Sequence, residues 1–302
     1  MLWYEALDKK LEDYLPDLKV EKEEPMSRHT SFRIGGPARR MAFPATGEQA
    51  VILAGLAEEC GARVIVIGNG TNLLAADEGL DALVINTSEL CGIRRVDEVT
   101  LEADAGVSLA RLATFACGEG LSGLEFAHGI PGSLGGAVCM NAGAYDGEMK
   151  QVLVSATALY PDGIRTLTAE EMQLSYRHSV FSDSDAIVLS ARVRLVRGEE
   201  ETIREKMREL MERRKKSQPL EYPSAGSTFK RPTGYFAGTL IDQAGLKGFR
   251  IGGAEVSEKH AGFVINRGGA TCSDVLALMD HVRSVIYEKN GVELEPEVKH
   301  IK

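Results

Sequence analysis

Leucines at positions 2, 7, 11 and 15 fall near one face of the opening segment MLWYEALDKKLEDYLPDL, which predicts an amphipathic helix over residues 1–20. A polar joint, KEEPMSRHT, follows. Helical spacing then runs over residues 48–60, and two short apolar runs, RVIVI and ALVIN, read as buried strands. Together these predict a small α/β unit. Between about residues 88 and 200 the spacing changes to alternation, in VTLEADAG, VLVSATALYPDGIRTLT and AIVLSARVRLVRG. With its PDG turn this stretch predicts a mostly antiparallel sheet, and residues 108–119 predict a helix laid on it. Residues 199–216 form a charged helix ending in Arg213, Arg214, Lys215 and Lys216, whose plain reading is a solvated face. The proline-bearing SQPLEYPSAGS reads as a linker. Residues 218–292 read as a further α/β unit, with YFAGTLIDQAG as a helix, HAGFVINRGG as a strand and turn, and CSDVLALMDHVRSVIYEKNG as a long helix stopped by glycine. VELEPEVKHI closes the chain as a strand.

Composition narrows the function. The 35 basic and 44 acidic residues give a net charge of −9, which argues against a general nucleic-acid or anionic-membrane binder. The five cysteines (Cys60, Cys91, Cys117, Cys139, Cys272) are odd in number and scattered, so a complete disulfide set is excluded and reduced thiols are expected. His29, His128, His178, His281 and His300 have no metal-ligand spacing, and no metal is expected. The N-terminus lacks the basic start and apolar run of a signal peptide, and no run is long enough for a membrane span, which predicts a cytoplasmic protein.

Glycine is the outlier, at 32 of 302 residues. Three clusters stand out: RIGGPA at 33–38, GNGTNLL at 68–74 directly after RVIVI, and GIPGSLGG at 129–136, the last followed by NAGA at 141–144. Glycines after a strand let backbone N–H groups converge on an anion without Cβ obstruction, and a diphosphate is the natural guest. GxxxxGK[ST] is absent and GNGTNLL lacks GxGxxG spacing, so neither a P-loop nor a Rossmann fingerprint is present. Each cluster alone reads as a turn; three within 110 residues point to one extended cofactor.

HTSFRIGGPA, GNGTNLL and GLEFAHGIPGSLGGAVCMNAGAYDGEM, followed in order by LSYRHSVF, PSAGSTFKRP, AGTLIDQAGLKG, KHAGFVINRGGAT and LEPEVKHI, resemble the UDP-N-acetylenolpyruvoylglucosamine reductase (UDP-N-acetylmuramate dehydrogenase) family. That family lies within the wider vanillyl-alcohol oxidase and p-cresol methylhydroxylase flavin fold. The resemblance runs from about residue 22 to the C-terminus. It implies an α+β chain, with two α/β subdomains forming an FAD-binding half and a third α/β domain for substrate. The expected boundaries are 1–87 and 88–217 for the FAD-binding subdomains and 218–292 for the substrate domain, with 293–302 a candidate strand to return to the second subdomain. Non-covalent FAD would lie on Gly68, Asn69, Gly70, Thr71, Asn72 and Leu73. Gly132, Ser133, Gly135, Gly136 and Ala137 would line the other side, with Asn141, Gly143 and Ala144 near the flavin or its ribityl chain.

The resemblance further implies the reaction. NADPH reduces the flavin, and the enolpyruvyl ether of UDP-N-acetylglucosamine then takes the hydride at its methylene carbon, giving UDP-N-acetylmuramate for peptidoglycan precursor synthesis. Charge is pushed into the substrate carboxylate and needs a fixed cation and a donor. The family's arginine falls on Arg177 and its acidic residue on Glu297, whose carboxyl is expected to be protonated in the complex. Its proton donor falls on Ser227. For substrate contacts, Lys216 and Lys230 are expected at the diphosphate. Arg231 sits where some relatives carry asparagine, His260 where others carry glutamine, and Tyr176 is expected against the nicotinamide or pyruvyl group. The chain passes directly from FKRPTGYFAG into a helix, so it resembles the shorter, second type without the tyrosine-bearing insert. A monomer is expected. Two other readings stay open: an oxidase of the same fold acting on a small alcohol, and a non-catalytic nucleotide-binding protein.

Overall fold

A computed structural model describes residues 1–302. In chain order the first elements are α1 (Trp3–Tyr14), β1 (Lys19–Pro25), β2 (Pro37–Phe43), α2 (Gly47–Glu59), β3 (Val64–Ile67), β4 (Leu73–Ala75), β5 (Leu80–Asn86), β6 (Ile93–Arg95), β7 (Thr100–Asp104), α3 (Leu109–Gly118), β8 (Leu121–Ser122) and α4 (Leu134–Cys139). There follow β9 (Gly143–Ala144), β10 (Gly147–Glu148), β11 (Leu153–Tyr160), β12 (Gly163–Thr168), β13 (Ile187–Arg194), β14 (Val196–Arg197) and α5 (Glu200–Ser217). The chain ends with α6 (Ala237–Gln243), β15 (Arg250–Ile251), β16 (Ala254–Val256), β17 (Val264–Asn266), α7 (Cys272–Asn290) and β18 (Lys299–Ile301).

Capping residues set the helix starts. Thr46 accepts the Gln49 N–H before α2, Ser108 accepts the Arg111 N–H before α3, and Thr271 accepts the Asp274 N–H before α7. Gly291, at φ 66°, ends α7 in the left-handed conformation that glycine adopts at least cost.

The chain divides into two units. Unit 1 comprises Met1–Lys22, Arg40–Asn69 and Ala82–Arg214. It carries the five-stranded sheet β12-β11-β13-β7-β6, antiparallel throughout as the alternation predicts. Its larger core packs the inner faces of β7, β11 and β13 against α3 and α4, through Leu101, Leu109, Leu112, Leu134, Ala156 and Ala191. A second core joins α1 to α2 through Leu7, Leu11, Leu53 and Leu56. Arg40, only 6% exposed, reaches Asp8 of α1 by two hydrogen bonds of 2.7 and 2.8 Å. The guanidinium holds the Asp8 carboxyl below the usual carboxylate range.

RVIVI is a strand, but not a buried one. β3 pairs in parallel with β5 at the edge of the sheet ordered β1-β2-β5-β3, and it leaves Val64 and Val66 more than a third exposed. An edge strand has one neighbour, so its outward face stays wet.

Unit 2 comprises Glu23–Arg39, Gly70–Asp81 and Lys215–Lys302. Its core packs Phe32, Ile34 and Leu74 with Leu240, Ile241, Val275, Leu278 and Ile286, from segments far apart in sequence. This is where the expected subdomain boundaries differ from the structure. The segments around residues 32 and 74 bury their apolar side chains among the C-terminal elements. The closing strand does not return to the sheet of residues 88–217: β18 pairs in parallel with β4, in the register Lys299↔Leu73, His300↔Leu74, Ile301↔Ala75.

The charged helix α5 buries Ile203, Met207 and Leu210 and exposes most of its charges, as a solvated amphipathic helix does. All five cysteines are free thiols, and no helix is long and apolar enough to cross a membrane.

Candidate active site

The glycine clusters divide into two kinds. The first, at residues 33–38, is a packing device within unit 2. A Cβ on Gly35 would lie 2.6 Å from the Ala75 Cβ, and one on Gly36 would lie 2.3 Å from the Asp77 carbonyl oxygen. The Gly36 amide is spent on Ala76 O at 2.8 Å. This cluster therefore offers no cradle, contrary to the reading of all three clusters as one cofactor signal.

The second and third clusters meet. In unit 1, Asn69 Nδ2–H donates to Pro131 O at 3.0 Å, and a Cβ on Gly68 would sit 2.0 Å from Ser133 Oγ. The turn before α4 is laid on the preceding strand end: Leu134 and Gly135 donate to Val107 O and Ala105 O, both at 2.8 Å, and Gly132 O accepts from Leu109 N–H at 3.0 Å. Ser133, Gly135 and Ala137 are buried, while Gly136 is exposed. In unit 2, Gly70 has φ +61° and a Cβ there would lie 1.9 Å from His29 O; Ser31 N–H donates to Gly70 O at 3.1 Å. HTSF thus backs the loop. The fold's own hydrogen bonds leave the amide N–H groups of Asn69, Gly70 and Thr71 untaken. Consecutive untaken amides beside glycines fit a diphosphate.

Gly70→Ala is expected to displace this loop, because both the positive φ and the His29 carbonyl oppose a side chain. FAD affinity should fall about tenfold or more, the equivalent of ~1–3 kcal/mol of overpacking. Flavin absorbance after gel filtration checks this.

Arg177 stands at the tip of a tight turn in unit 1. Ser175 and His178 exchange backbone hydrogen bonds at 3.0 and 3.2 Å, and this closure drives Arg177 to φ +56°. A non-glycine residue in that region is strained, as functional tips often are. The guanidinium Nη2–H donates to Gly143 O at 3.3 Å and lies over the Tyr176 ring at 5.1 Å. Asn141, fully buried at φ +41°, stitches the neighbourhood together. Its Nδ2 donates to Glu148 Oε2 and Ser175 O, both at 3.0 Å, and its Oδ1 accepts from Lys150 N–H at 2.8 Å. Asn141 therefore binds the SYR turn to the β9–β10 hairpin, which carries Gly143 and Ala144.

Ser227 and Glu297, 70 residues apart in the chain, are neighbours in unit 2. Phe229 bridges to Pro296, Lys230 N–H donates to Glu295 O at 2.8 Å, and Glu297 N–H donates to Thr228 O at 2.9 Å. Gly226, at φ +78°, turns the chain immediately before Ser227. Both Ser227 and Glu297 are half-buried. Asn72 Nδ2–H donates to Glu297 O at 3.0 Å, so three expected site residues share one backbone strip.

Of the expected substrate residues, Lys230 pairs with Glu295 at the wall of a cleft of about 330 Å³, lined also by Arg231, Thr233 and Tyr235. Arg231 stacks on the exposed Phe236 ring at 3.8 Å. Lys216 is exposed near the end of α5, and Tyr176 is 52% exposed. His260 accepts the Gly262 N–H on Nδ1 at 3.1 Å, and burial pushes its pKa below the usual histidine value. With Nδ1 accepting, the proton of the neutral ring sits on Nε2.

Arg214 and Tyr145 were not singled out in the sequence as site residues. Arg214 lies half-buried against Gly129, with its Cδ 3.3 Å from where a Cβ would be, and burial lowers its pKa below the usual arginine value. The Tyr145 hydroxyl is buried without a hydrogen-bond partner, and the Arg213 guanidinium lies 4.9 Å from its ring centre. The sequence signal was the basic end of α5, which reads as a solvated face.

The glycine loop fits a diphosphate, and residues 38–168 match the FAD binding domain family, which makes the chain a flavoprotein of the FAD-binding class. Residues 218–301 match the C-terminal domain of UDP-N-acetylenolpyruvoylglucosamine reductase. The chain is 49% identical to the UDP-N-acetylenolpyruvoylglucosamine reductase of Caldanaerobacter subterraneus subsp. tengcongensis, over 98% of both chains. It is also 49% identical to that of Agathobacter rectalis, over 97% of both. The crystal structure of the Thermus caldophilus reductase superposes with a TM-score of 0.80 at 36% identity, covering 94% of this chain and all of that one. An alkyldihydroxyacetonephosphate synthase, at 20% identity and TM-score 0.51 over 64% of this chain and 44% of its own, shares the fold. The chain belongs to the UDP-N-acetylenolpyruvoylglucosamine reductase family.

Proposed function

We propose that this protein uses NADPH to reduce the enolpyruvyl ether of UDP-N-acetylglucosamine to UDP-N-acetylmuramate, a step of peptidoglycan precursor synthesis. The observation that carries the reading is the pairing of residues 228–230 with 295–297, which supports a shared role for Ser227 and Glu297. FAD, when bound, relays a hydride from NADPH to the substrate. Gly68, Asn69, Gly70, Thr71, Asn72 and Leu73 would hold its diphosphate, with the untaken amides of Asn69, Gly70 and Thr71 as donors. Gly132, Ser133, Gly135, Gly136 and Ala137 form the opposite wall, and Asn141, Gly143 and Ala144 form the support on the Arg177 side.

Hydride arrival at the substrate methylene makes the adjoining carboxylate more negative. Arg177 holds that carboxylate with a fixed charge that cannot deprotonate. Protonated Glu297 donates a hydrogen bond to the same group. The hydroxyl of Ser227 delivers a proton to the carbon bearing the ether oxygen, whose carbanion character makes a weak acid sufficient in a site shielded from water. Lys216, Lys230 and Arg231 hold the sugar-nucleotide diphosphate, with His260 and Tyr176 against its organic parts. Arg214 adds a poorly hydrated cation for an anionic group. The protein works as a cytoplasmic monomer, and its product supports cell-wall growth, cell shape and division.

Labelling tests the reading. With hydride-labelled NADPH in unlabelled water, the new methyl group of the product should carry the label; with ordinary NADPH in D2O, the methine should carry it. NADPH consumption that does not depend on the enolpyruvyl sugar nucleotide would refute the assignment.

A further inference from the structure

Asn72 closes the Gly68–Asn72 loop, one residue before β4. Its side-chain Nδ2–H donates to the Glu297 carbonyl at 3.0 Å, and its own carbonyl accepts from Lys299 N–H at 2.9 Å. From there β18 runs parallel to β4. Glu297 is held equally firmly from the other side, since its N–H donates to Thr228 O at 2.9 Å. Thr228 is itself fixed: it is 1% exposed, its N–H donates to Gly262 O at 2.9 Å, and its hydroxyl accepts from Val264 N–H at 2.9 Å. Both backbone polar groups of Glu297 are therefore engaged, one by the neighbour of Ser227 and the other by the loop assigned to the diphosphate. All these residues lie in unit 2.

We propose that Asn72 is a positioning residue for Glu297, whose side-chain amide fixes the peptide plane that aims the acid. The proposal rests on the reading of Glu297 as the acid beside the substrate carboxylate. The Glu297 N–H lies in the peptide before its Cα and the C=O in the peptide after it, so with both held neither φ nor ψ of Glu297 can turn without breaking a hydrogen bond, and the Cα–Cβ bond that carries the acid is presented in one direction. Asparagine suits the place. Its amide is a neutral donor to a carbonyl, whereas an aspartate would set one acceptor against another. Contact between the loop and a diphosphate would then bear on the geometry of the acid as well as on cofactor affinity. The backbone bond from Lys299 and the β4–β18 ladder do not need the side chain, so Asn72→Ala is expected to fold.

A double-mutant cycle tests this. Both half-reactions are measured by stopped flow, at saturating FAD, in the wild type, Asn72→Ala, Glu297→Gln and the double variant. Asn72→Ala is expected to slow the oxidative half-reaction about tenfold more than the reductive one, the scale of one lost hydrogen bond to a positioned group. In the Glu297→Gln background that extra loss should shrink to less than about twofold, because Asn72 then has no acid to aim. Asn72→Asp keeps the shape, loses the donor and should behave as Asn72→Ala. Amide hydrogen exchange in the cofactor-free protein gives a readout apart from activity: Asn72→Ala should speed exchange at the Glu297 N–H about tenfold while the β18 ladder keeps its protection. Additive losses in the cycle, or unchanged exchange at Glu297, overturn the proposal. A wild-type oxidative half-reaction in Glu297→Gln alone overturns the acid role instead, and leaves the exchange experiment to decide whether Asn72 holds the backbone of Glu297.

Discussion

Ser227→Ala is expected to reduce its bound flavin with NADPH within about twofold of the wild-type rate, while the reaction of the reduced enzyme with the enolpyruvyl substrate falls by ~10²–10⁴, the scale of general acid catalysis. The two halves separate because only the second needs a proton at carbon. The substitution removes one oxygen and leaves the backbone that aims it. Thr228 beside it is pinned to Gly262, Val264 and Glu297, and Gly226 keeps its left-handed turn. A collapsed strip is therefore not expected, and circular dichroism and melting temperature should match the wild type closely. Stopped-flow traces of each half-reaction, together with deuterium incorporation at the product methine, report the outcome. Equal losses in both halves would make the serine structural, and a fully retained second half would move the proton donor elsewhere.

What could be read in the chain was local. Helices α2, α3 and α7 were visible because their apolar residues recur at helical spacing, and the glycine after α7 marked its end. The antiparallel sheet was visible because β7, β11 and β13 alternate along their own length. The residue types proposed for the site were named through their motifs. What was hidden is long-range. Glycine looks the same in sequence whether its missing Cβ makes room for a ligand, as proposed for Gly68 and Gly70, or for the Ala75 side chain, as at Gly35. Alternation marks a strand but not its partner, so β18 could be foreseen and its place beside β4 could not. RVIVI carries the apolar content of a buried strand, yet nothing local told that β3 has one neighbour. Arg214 shows the reverse failure. Its charge suggests solvent, and its burial against Gly129 depends on where the end of α5 lies.

Arg177→Met is expected to be the most damaging substitution, lowering the oxidative half-reaction by ~10³ or more, because a pair of charge-assisted hydrogen bonds and a full positive charge disappear together. Methionine keeps much of the length and the apolar stem, so the loss tests the guanidinium. Arg177→Lys restores charge without the planar fork and should recover only part of the rate, since one ammonium cannot hold two carboxylate oxygens in parallel. The turn itself should survive either change. The Ser175–His178 backbone bonds and the Asn141 amide hold it without the arginine side chain. Binding and chemistry can be told apart by titrating the oxidised enzyme with substrate. If the arginine stabilises charge that grows in the transition state, the rate should fall by a larger factor than the affinity. If the two fall together, Arg177 merely anchors the carboxylate in the ground state. Its strain then has another cause, because a residue at φ +56° gains nothing from that geometry as a simple anchor.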